Sequence, residues 1–391
     1  MVNRSEKVLD FLRRQQSEML SLLQKLVAME TPTDVAESQQ PILDCLQAEL
    51  RKLDFLTLRT PPRQFGGNLY ARLRNSRHAR YRQLLLGHCD TVWPIGTLKD
   101  MPLEFNASGK ILRGPGVYDM KAGLVEMIYA LKALRALELH PQVTPLVFIN
   151  SDEELGSRES GRYIRRLARC CDRALVMEPS LGPLGKLKTG RKGVGRFSVS
   201  VKGKAAHAGL DPSAGASAIL ELSHVIQKLF ALNDPERGAS VNVGVIDGGV
   251  RANVVAPESN AVVDVRVENQ IDADRIQQEI LSLKPETPGV VLQISGGIGR
   301  PPMEHTPANR QLWTLAKELA SDLSLPVEEA TAGGGSDGNT TSRYTATLDG
   351  LGAVGDGAHA ANEHIEVEQL PLRCALLTLM LLAPPLEKEA I

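Results

Sequence analysis

The stretch that decides the fold is LLLGHCDTVWPIGTLKDMPLEFNASGKILRGPGVYDMKAG, residues 84–123. It opens with Leu84–Leu86, three apolar residues that predict a short buried strand, and His88 and Asp90 follow where that strand ends. After a polar loop, a glycine-rich turn carries Asp119 into a long helical pattern. Open α/β sheets bind their ligands at the carboxyl ends of strands, so these polar side chains are candidates for a binding site.

The segments that follow alternate helices with apolar strands. Helices are predicted over 122–139 and 160–168, and strands over 68–73, 83–86, 144–150 and 173–177. The strand over 144–150 is continuously apolar, which is typical of a strand covered on both faces, and it runs into Glu153 and Glu154. The next strand ends at Glu178. This alternation predicts an α/β fold, with a largely parallel sheet and helices on both faces.

The pattern changes after about residue 188. Strands are predicted over 195–201, 240–246, 261–267 and 290–295, and helices over 213–229 and 273–283. The order βαββαβ is that of a ferredoxin-like domain. We therefore expect two domains, a discontinuous one from residues 1–187 and 303–391 and an inserted one at 188–302. The first also contains predicted helices over 7–29, 40–53 and 370–382.

Length and composition restrict the classes of function. A chain of 391 residues is long for one core, which also favours two domains. The net charge of −1 argues against a nucleic acid or a membrane surface as the main partner. Five cysteines without regular spacing predict reduced thiols, and the amino terminus has no signal-peptide pattern, so we expect a cytoplasmic protein.

Acidic and imidazole side chains gather at the predicted loop ends: His88, Asp90, Asp119, Glu153, Glu154, Glu178 and His359. Two imidazoles and three carboxylates can hold two zinc ions about 3.5–4 Å apart, with one carboxylate bridging them. Taken singly, a histidine after a strand is usually structural, and adjacent glutamates usually face solvent. The combination is different, because a buried strand is not expected to end in Asp-Glu-Glu by chance.

Nine motifs follow one another along the chain: GHCDTV (87–92), GPGVYDMKAG (114–123), NSDEELGS (150–157), MEPS (177–180), GKAAHAG (203–209), GGVRANVVAPES (248–259), DVRV (264–267), GGGSDGN (333–339) and GAHAANEHIEV (357–367). With these motifs the sequence resembles the co-catalytic zinc peptidase family that includes bacterial glutamate carboxypeptidase, aminoacylase, acetylornithine deacetylase and succinyl-diaminopimelate desuccinylase. The motifs cover nearly the whole chain, so the resemblance is far more specific than a single short pattern.

The resemblance implies a site for two divalent metal ions per chain. Zinc is the expected metal, and cobalt and manganese are the alternatives. It implies that His88 and Glu178 ligate one ion and that Glu154 and His359 ligate the other. Asp119 would bridge the two ions.

The resemblance also implies a general base, Glu153, which would take a proton from the attacking water and return it to the leaving amine. Asp90 would accept the second N–H of His88 and fix the orientation of that ring. A cis peptide bond is implied between Asp119 and Met120.

In relatives the small domain forms a homodimer, and a histidine and an asparagine from it reach the partner's active site. His207 and Asn253 match these positions, so a dimerisation role is implied for the inserted domain. His207 would then help to hold the oxyanion. The plain alternative for His207 is an exposed loop histidine.

Four further residues are assigned to substrate binding by the resemblance. Arg266 matches the residue that holds a terminal carboxylate, a task for which the arginine fork is well suited. Lys186 and Arg300 match positions that bind an acidic substrate in glutamate-specific relatives, although both could instead be solvated hinge charges. Ser336, in the GGGSDGN motif, completes this group.

Together these features predict a zinc-dependent hydrolase that cleaves an amide bond next to a free carboxylate, in a small peptide or an N-acyl amino acid. The first hypothesis is a carboxypeptidase that releases C-terminal glutamate. The alternative is an N-acyl amino acid deacylase of the acetylornithine deacetylase or aminoacylase type. A non-catalytic binding protein of the same fold would need a broken ligand set or a missing base, and neither defect is present.

Overall fold

The structure, a computed structural model, describes residues 4–76 and 79–386, and these form two compact units. The first unit takes the described residues within Met1–Thr189, His305–Thr331 and Ser336–Ile391. The second comprises Gly190–Glu304 and Ala332–Gly335. The domains predicted from sequence were 1–187 with 303–391, and 188–302. Of these ranges, residues 1–3, 77–78 and 387–391 lie outside the described part of the chain.

The helices are α1 (Arg4–Arg14), α2 (Gln16–Val27), α3 (Gln40–Lys52), α4 (Ala122–Ala136), α5 (Gly161–Ala168), α6 (Ala218–Phe230), α7 (Gln270–Ser282), α8 (Pro307–Ser321), α9 (Asp337–Thr341) and α10 (Gln369–Leu382). The strands are β1 (Phe55–Arg59), β2 (Leu69–Leu73), β3 (Arg82–His88), β4 (Glu104–Phe105), β5 (Ile111–Arg113), β6 (Thr144–Asn150), β7 (Arg173–Val176), β8 (Leu187–Arg191), β9 (Gly193–Lys202), β10 (Ser240–Gly248), β11 (Glu258–Val267), β12 (Val291–Arg300), β13 (Glu329–Ala332), β14 (Ala346–Leu348), β15 (Gly355–Asp356) and β16 (His364–Glu366).

The helix predicted over 7–29 is two helices, α1 and α2. They are separated at Gln15, whose φ of −92° and ψ of 1° are not helical. The apolar pattern could not show this break, because Leu12 and Met19 are buried on either side of it and keep a helical spacing across it.

The central sheet of the first unit has the strand order β1-β2-β6-β3-β7-β14. Strands β6, β3, β7 and β14 are parallel, whereas β1 and β2 form an antiparallel edge. Successive residues of the inner strands face opposite sides of the sheet. Leu85 and Val147 join the core built with α4 and α10, while Leu84 and Phe148 pack with Ile164 of α5. The continuous apolar runs arise because helices cover both faces, as predicted.

The inner parallel strands end at the same edge of this sheet. β3 ends at His88, β6 at Asn150 and β7 at Val176, and β3 lies between the other two. The loops that leave these three strands are therefore close together. A separate antiparallel sheet, with the order β15-β16-β5-β4, flanks the loops that carry Asp119 and His359.

The second unit is a four-stranded antiparallel sheet with the order β10-β11-β9-β12 and the two helices α6 and α7. This order and the βαββαβ sequence of elements are those of a ferredoxin-like fold, which confirms the prediction. Its core contains Phe197, Val199 and Val201, alternate residues of β9 that point to the helices. The other face of the sheet carries polar residues, as expected when only one face is covered.

Candidate metal centre

Asp119 lies between two imidazole rings. One oxygen, Oδ1, is 3.2 Å from Nε2 of His88, and the other, Oδ2, is 3.5 Å from Nε2 of His359. The peptide bond between Asp119 and Met120 is cis, as the resemblance implied. His359 has a φ of 61°, in the left-handed region that residues other than glycine rarely occupy. A carboxylate that faces one imidazole with each oxygen has the arrangement required of a bridging ligand.

Each of the two imidazoles also faces a glutamate. Nε2 of His88 is 3.4 Å from Oε1 of Glu178, and Nε2 of His359 is 3.2 Å from Oε2 of Glu154. The structure therefore brings the five predicted ligands together as two half-sites that share Asp119. Within the described part of the chain, Oε1 of Glu154 is buried without a hydrogen-bond partner.

The ring of His88 is oriented by its other nitrogen. Nδ1 lies 3.0 Å from the main-chain oxygen of Asp90 and 3.4 Å from its carboxylate Oδ1. The prediction that Asp90 accepts this N–H is matched by both oxygens, of which the carbonyl is the nearer. When the ring is neutral, a proton on Nδ1 serves this contact and leaves the lone pair of Nε2 available for a metal ion held together with Asp119 and Glu178.

The carboxylate of Asp90 instead braces the loop after β6. It accepts hydrogen bonds from the backbone N–H groups of Glu153 (3.3 Å) and Glu154 (3.2 Å) and from the hydroxyl of Thr33 (2.9 Å). Asp90 is fully buried, so these contacts are not shared with solvent. Asp90 thus positions both the proposed base and the adjacent ligand, and it does so through their main chain.

Glu153, the predicted general base, is 7% exposed and lies beside one half-site. Its carboxylate and ligand atoms of His88 and Glu178 all lie within 4.8 Å of one another. The side chain is therefore close enough to share a water molecule with the ligands of that half-site.

The charged groups at this site shift one another's pKa values. Burial raises the pKa of Asp119, but its contacts with His359 and His88 outweigh this and hold the pKa below its usual range. Contacts with Asp119 and Glu154 raise the pKa of His359 to about 10. Burial and the neighbouring charge of Asp119 raise the pKa of Glu154 to about 7. Carboxylates outnumber the imidazoles here, so the donor set fits a positively charged partner such as a pair of divalent ions.

The sequence profile of peptidase family M20/M25/M40 matches residues 84–383, a range that contains all five predicted ligands. The chain belongs to the peptidase family M20/M25/M40. Members of this family are metallo-hydrolases, and the fold and the ligand cluster described above are consistent with that membership.

Three proteins show what this M20 family member is similar to. Carboxypeptidase G2 of Pseudomonas sp. strain RS-16 is 28% identical over 371 residues, which cover 92% of this chain and 87% of that protein. Succinyl-diaminopimelate desuccinylase of Xanthomonas oryzae pv. oryzae is 28% identical over 310 residues, covering 75% and 81%. The YXEP protein of Bacillus subtilis, a dinuclear metal-binding peptidase of the M20 family, superposes with a TM-score of 0.68 at 13% identity, covering 95% and 98% of the two chains, and shows the fold.

Two predicted residues of the M20 chain lie together in the second unit. His207 is exposed, and its Nδ1 accepts hydrogen bonds from the backbone N–H groups of Gly209 and Leu210, both at 3.1 Å. The neutral ring therefore carries its proton on Nε2, which is free to donate. Asn253 is also exposed, and its carbonyl accepts from the N–H of Ala208 at 3.0 Å.

Two of the predicted substrate-binding cations, Lys186 and Arg266, have acidic neighbours. Lys186 lies 2.7 Å from Oε2 of Glu328, and both side chains are partly exposed. Arg266 binds Asp264 with two nitrogens, at 2.8 and 3.0 Å. Arg300 is half-buried at the end of β12. A substrate carboxylate would therefore compete with Glu328 and Asp264 for these groups.

Ser336 caps a helix in this structure, and its predicted contact with substrate stays a prediction. Its side chain is fully buried, and its hydroxyl accepts from the N–H of Gly338 at 2.9 Å and donates to Oδ2 of Asp349 at 2.5 Å. Asn339 returns a hydrogen bond to the Ser336 N–H, which completes a cap on α9. The hydroxyl takes this position because the GGGSDGN motif begins a helix at this serine.

Sequence reasoning missed Glu363. It is fully buried, and its carboxylate accepts the N–H of Asp119 at 3.0 Å. The only signal in the sequence was its place four residues after His359, in a motif that had already been assigned to the metal ligand. Glu363 therefore fixes the main chain of the turn that carries Asp119.

No helix among residues 4–76 and 79–386 is both long and apolar enough to cross a membrane.

Proposed function

We propose that this protein is a dinuclear zinc hydrolase that cleaves an amide bond next to a free carboxylate. The observation that carries the proposal is the position of Asp119, whose two oxygens face His88 and His359 separately. Glu178 and Glu154 complete the two half-sites. Two bound divalent ions would polarise the scissile carbonyl and lower the pKa of a water molecule.

Glu153 is the residue proposed to move the proton. Its carboxylate would accept a proton from the attacking water and then give that proton to the nitrogen that leaves. A positioned general base contributes about 10²–10⁴-fold in rate. Burial beside His88 and Glu178 excludes bulk water from this carboxylate and keeps it close to the reacting atoms.

His207 is proposed to stabilise the oxyanion. Its free Nε2–H is a donor, because Nδ1 is occupied by the N–H groups of Gly209 and Leu210. By analogy with the family, His207 and Asn253 would serve the site of a partner subunit in a homodimer. A donor aimed at the developing charge acts mainly in the transition state.

The preferred substrate is proposed to be a peptide with C-terminal glutamate. Similarity to carboxypeptidase G2 supports this choice, and Arg266 would hold the terminal carboxylate. Lys186 and Arg300 would hold the side-chain carboxylate. The similarity to succinyl-diaminopimelate desuccinylase, together with the existing pair between Lys186 and Glu328, favours an N-acyl amino acid deacylase as the second candidate.

A substrate panel distinguishes the two candidates. Purified protein with added zinc is assayed on dipeptides that differ only in the C-terminal residue, and on N-acetyl and N-succinyl amino acids. The first candidate predicts that kcat/KM for C-terminal glutamate exceeds that for alanine or leucine by about tenfold or more, the effect of one charge-assisted contact. Equal rates for alanine, leucine and glutamate exclude the glutamate preference, and faster hydrolysis of the N-acyl compounds supports the deacylase.

We also propose a homodimer formed through the second unit. Its surface exposes Leu210, Ile246 and Val250 to 83, 61 and 70%, an apolar content that favours association. Light scattering at micromolar concentration should give twice the chain mass of 42.4 kDa. A mass of one chain at that concentration contradicts the proposal. The cytoplasmic location predicted from the cysteines can be tested by cell fractionation.

A further inference from the structure

The carboxylate of Glu363 accepts four hydrogen bonds from one loop and one ring. Oε1 accepts the backbone N–H groups of Tyr118 and Asp119, both at 3.0 Å. Oε2 accepts the N–H of Gly116 at 2.9 Å and the indole N–H of Trp93 at 2.7 Å. Glu363 is fully buried, so all four contacts are made away from solvent.

These contacts join the two loops that carry ligands of one half-site. Glu363 lies four residues after His359, and its carbonyl also accepts the N–H of Gly114 at 3.2 Å. Its carboxylate holds the main chain of Asp119 directly. Asp119 and His359 are 240 residues apart in the sequence, so their relative position depends on such tertiary contacts.

We propose that Glu363 is a positioning residue that sets the distance between Asp119 and His359. It thereby controls the affinity for the divalent ion that these two residues share with Glu154. This inference rests on the proposed dinuclear metal site. Glu363 does not need to contact the ion, because it acts through the backbone of the Asp119 turn and through its own loop.

The hydrogen-bond pattern makes glutamine an informative replacement. All four partners of the carboxylate are donors, and two of them address each oxygen. A glutamine of the same shape must turn its NH₂ group toward two N–H groups, whichever way its amide is placed. Glu363→Gln therefore disturbs the turn that carries Asp119 without creating a cavity.

A matched control exists in the second unit. Glu221 is also fully buried, and it accepts the backbone N–H groups of Glu286 at 3.0 Å and Thr287 at 2.7 Å. Glu221→Gln repeats the same chemical change on a buried carboxylate that accepts backbone N–H groups. It separates an effect on the metal site from the general cost of such a change.

The test is a metal titration of the full chain after removal of metal by a chelator. Wild-type protein and Glu221→Gln should bind two zinc ions with the same affinities. Glu363→Gln should bind the ion held by His359 and Glu154 about 10- to 100-fold more weakly, which is the usual cost of losing a partner behind a metal ligand. The other ion shares Asp119 but not His359, so its affinity should fall by less. With Co²⁺ as the probe, the absorption bands of the affected site should change, a signature that a loss of stability alone would not produce.

Trp93→Phe keeps the proposal testable if Glu363→Gln fails to fold. It removes a single donor, so it should weaken the same ion in the same direction but by less. Two ions bound with wild-type affinity by Glu363→Gln, or by Trp93→Phe when the first variant is unfolded, overturn this inference and leave the metal centre intact. A wild-type protein that binds no divalent ion overturns the proposed function and this inference together.

Discussion

Asp272 and Asp119, one in each unit, are carboxylates with different kinds of partner. In the second unit, Asp272 is fully buried and lies 2.8 Å from Arg237 and 3.2 Å from Arg275. In the first unit, Asp119 faces the imidazoles of His88 and His359, side chains that can also ligate a metal ion. A buried charge requires a partner. The comparison indicates that Asp272 is part of the fold, whereas the cluster around Asp119 is built for a cation that comes from outside.

The same comparison distinguishes the metal site from the proposed substrate site. Lys186 and Arg266 already have partners in Glu328 and Asp264. When a substrate carboxylate binds either cation, it replaces an existing ion pair. The net binding free energy is the difference between the two pairs, and exposed pairs contribute little. The metal site is therefore the stronger of the two assignments.

The largest expected effect is at the proposed base. Glu153→Gln should lower kcat by about 10²–10⁴-fold, because no other group then takes the proton from water. Its metal content should equal that of wild type, measured by plasma mass spectrometry. Glu159→Gln, in the same loop, is the control and should retain activity. A well-folded Glu153→Gln protein with wild-type turnover removes this residue from the mechanism.

Removal of metal should destabilise the first unit. Zinc at about 100 times its dissociation constant stabilises the form that binds it by about 2.7 kcal/mol. The two tryptophans, Trp93 and Trp313, both lie in the first unit, so their fluorescence reports its unfolding in urea. Glu154→Gln should reduce the gain from zinc.

Hydrogen exchange in β9 and β11 of the second unit serves as the internal control for this experiment. Zinc should leave this exchange unchanged, because none of the five predicted ligands lies in the second unit. Equal protection of both units by zinc would contradict the contrast between them.

The third prediction concerns Asp272, whose pKa is lowered. Burial raises this pKa, but the contacts with Arg237, Asn269 and Arg275 outweigh burial. A carboxyl group with a depressed pKa stabilises the fold above its unfolded pKa of about 3.9, and this stabilisation is lost as the pH falls through the folded value. Asp272→Asn should therefore cost about 1.5–3 kcal/mol at pH 7 and progressively less below about pH 4.

The measurement for Asp272 is hydrogen exchange of α7 in increasing urea at several pH values. Asp274→Asn is the control, because Asp274 lies on the same helix and is exposed. A cost that does not change between pH 7 and pH 3 would mean that the charge of Asp272 is not what stabilises this unit.

The smallest effects are expected at the substrate cations. Arg266→Ala should lower kcat/KM for every substrate, whereas Lys186→Ala or Arg300→Ala should lower it about tenfold for C-terminal glutamate and aspartate only. Lys228→Ala is the matched control, since Lys228 forms a similar partly exposed pair with Glu286 at 2.9 Å. If Lys186→Ala lowers kcat/KM equally for C-terminal glutamate and leucine substrates, Lys186 has no role in specificity.

Most of the fold could be predicted from the sequence, because its buried strands are continuous runs of apolar residues. The apolar run over 144–150 coincides with β6, and the change of pattern after residue 188 marks a ferredoxin-like unit. The edge strand β1 was missed, since Phe55–Arg59 contains only a short, partly exposed alternation. Strands buried on two faces leave a clear compositional signal, and edge strands do not.

The sequence alone also predicted which residues form the candidate metal centre. His88, Glu153 and Glu154 stand at the ends of strands whose apolar residues predict that these strands are buried. Tertiary structure decided how they meet: each oxygen of Asp119 faces a different imidazole. It also decided the role of Glu363, whose partners are backbone N–H groups more than 240 residues away. A hydrogen bond to the main chain does not depend on the residue type of the donor, so no sequence pattern records it.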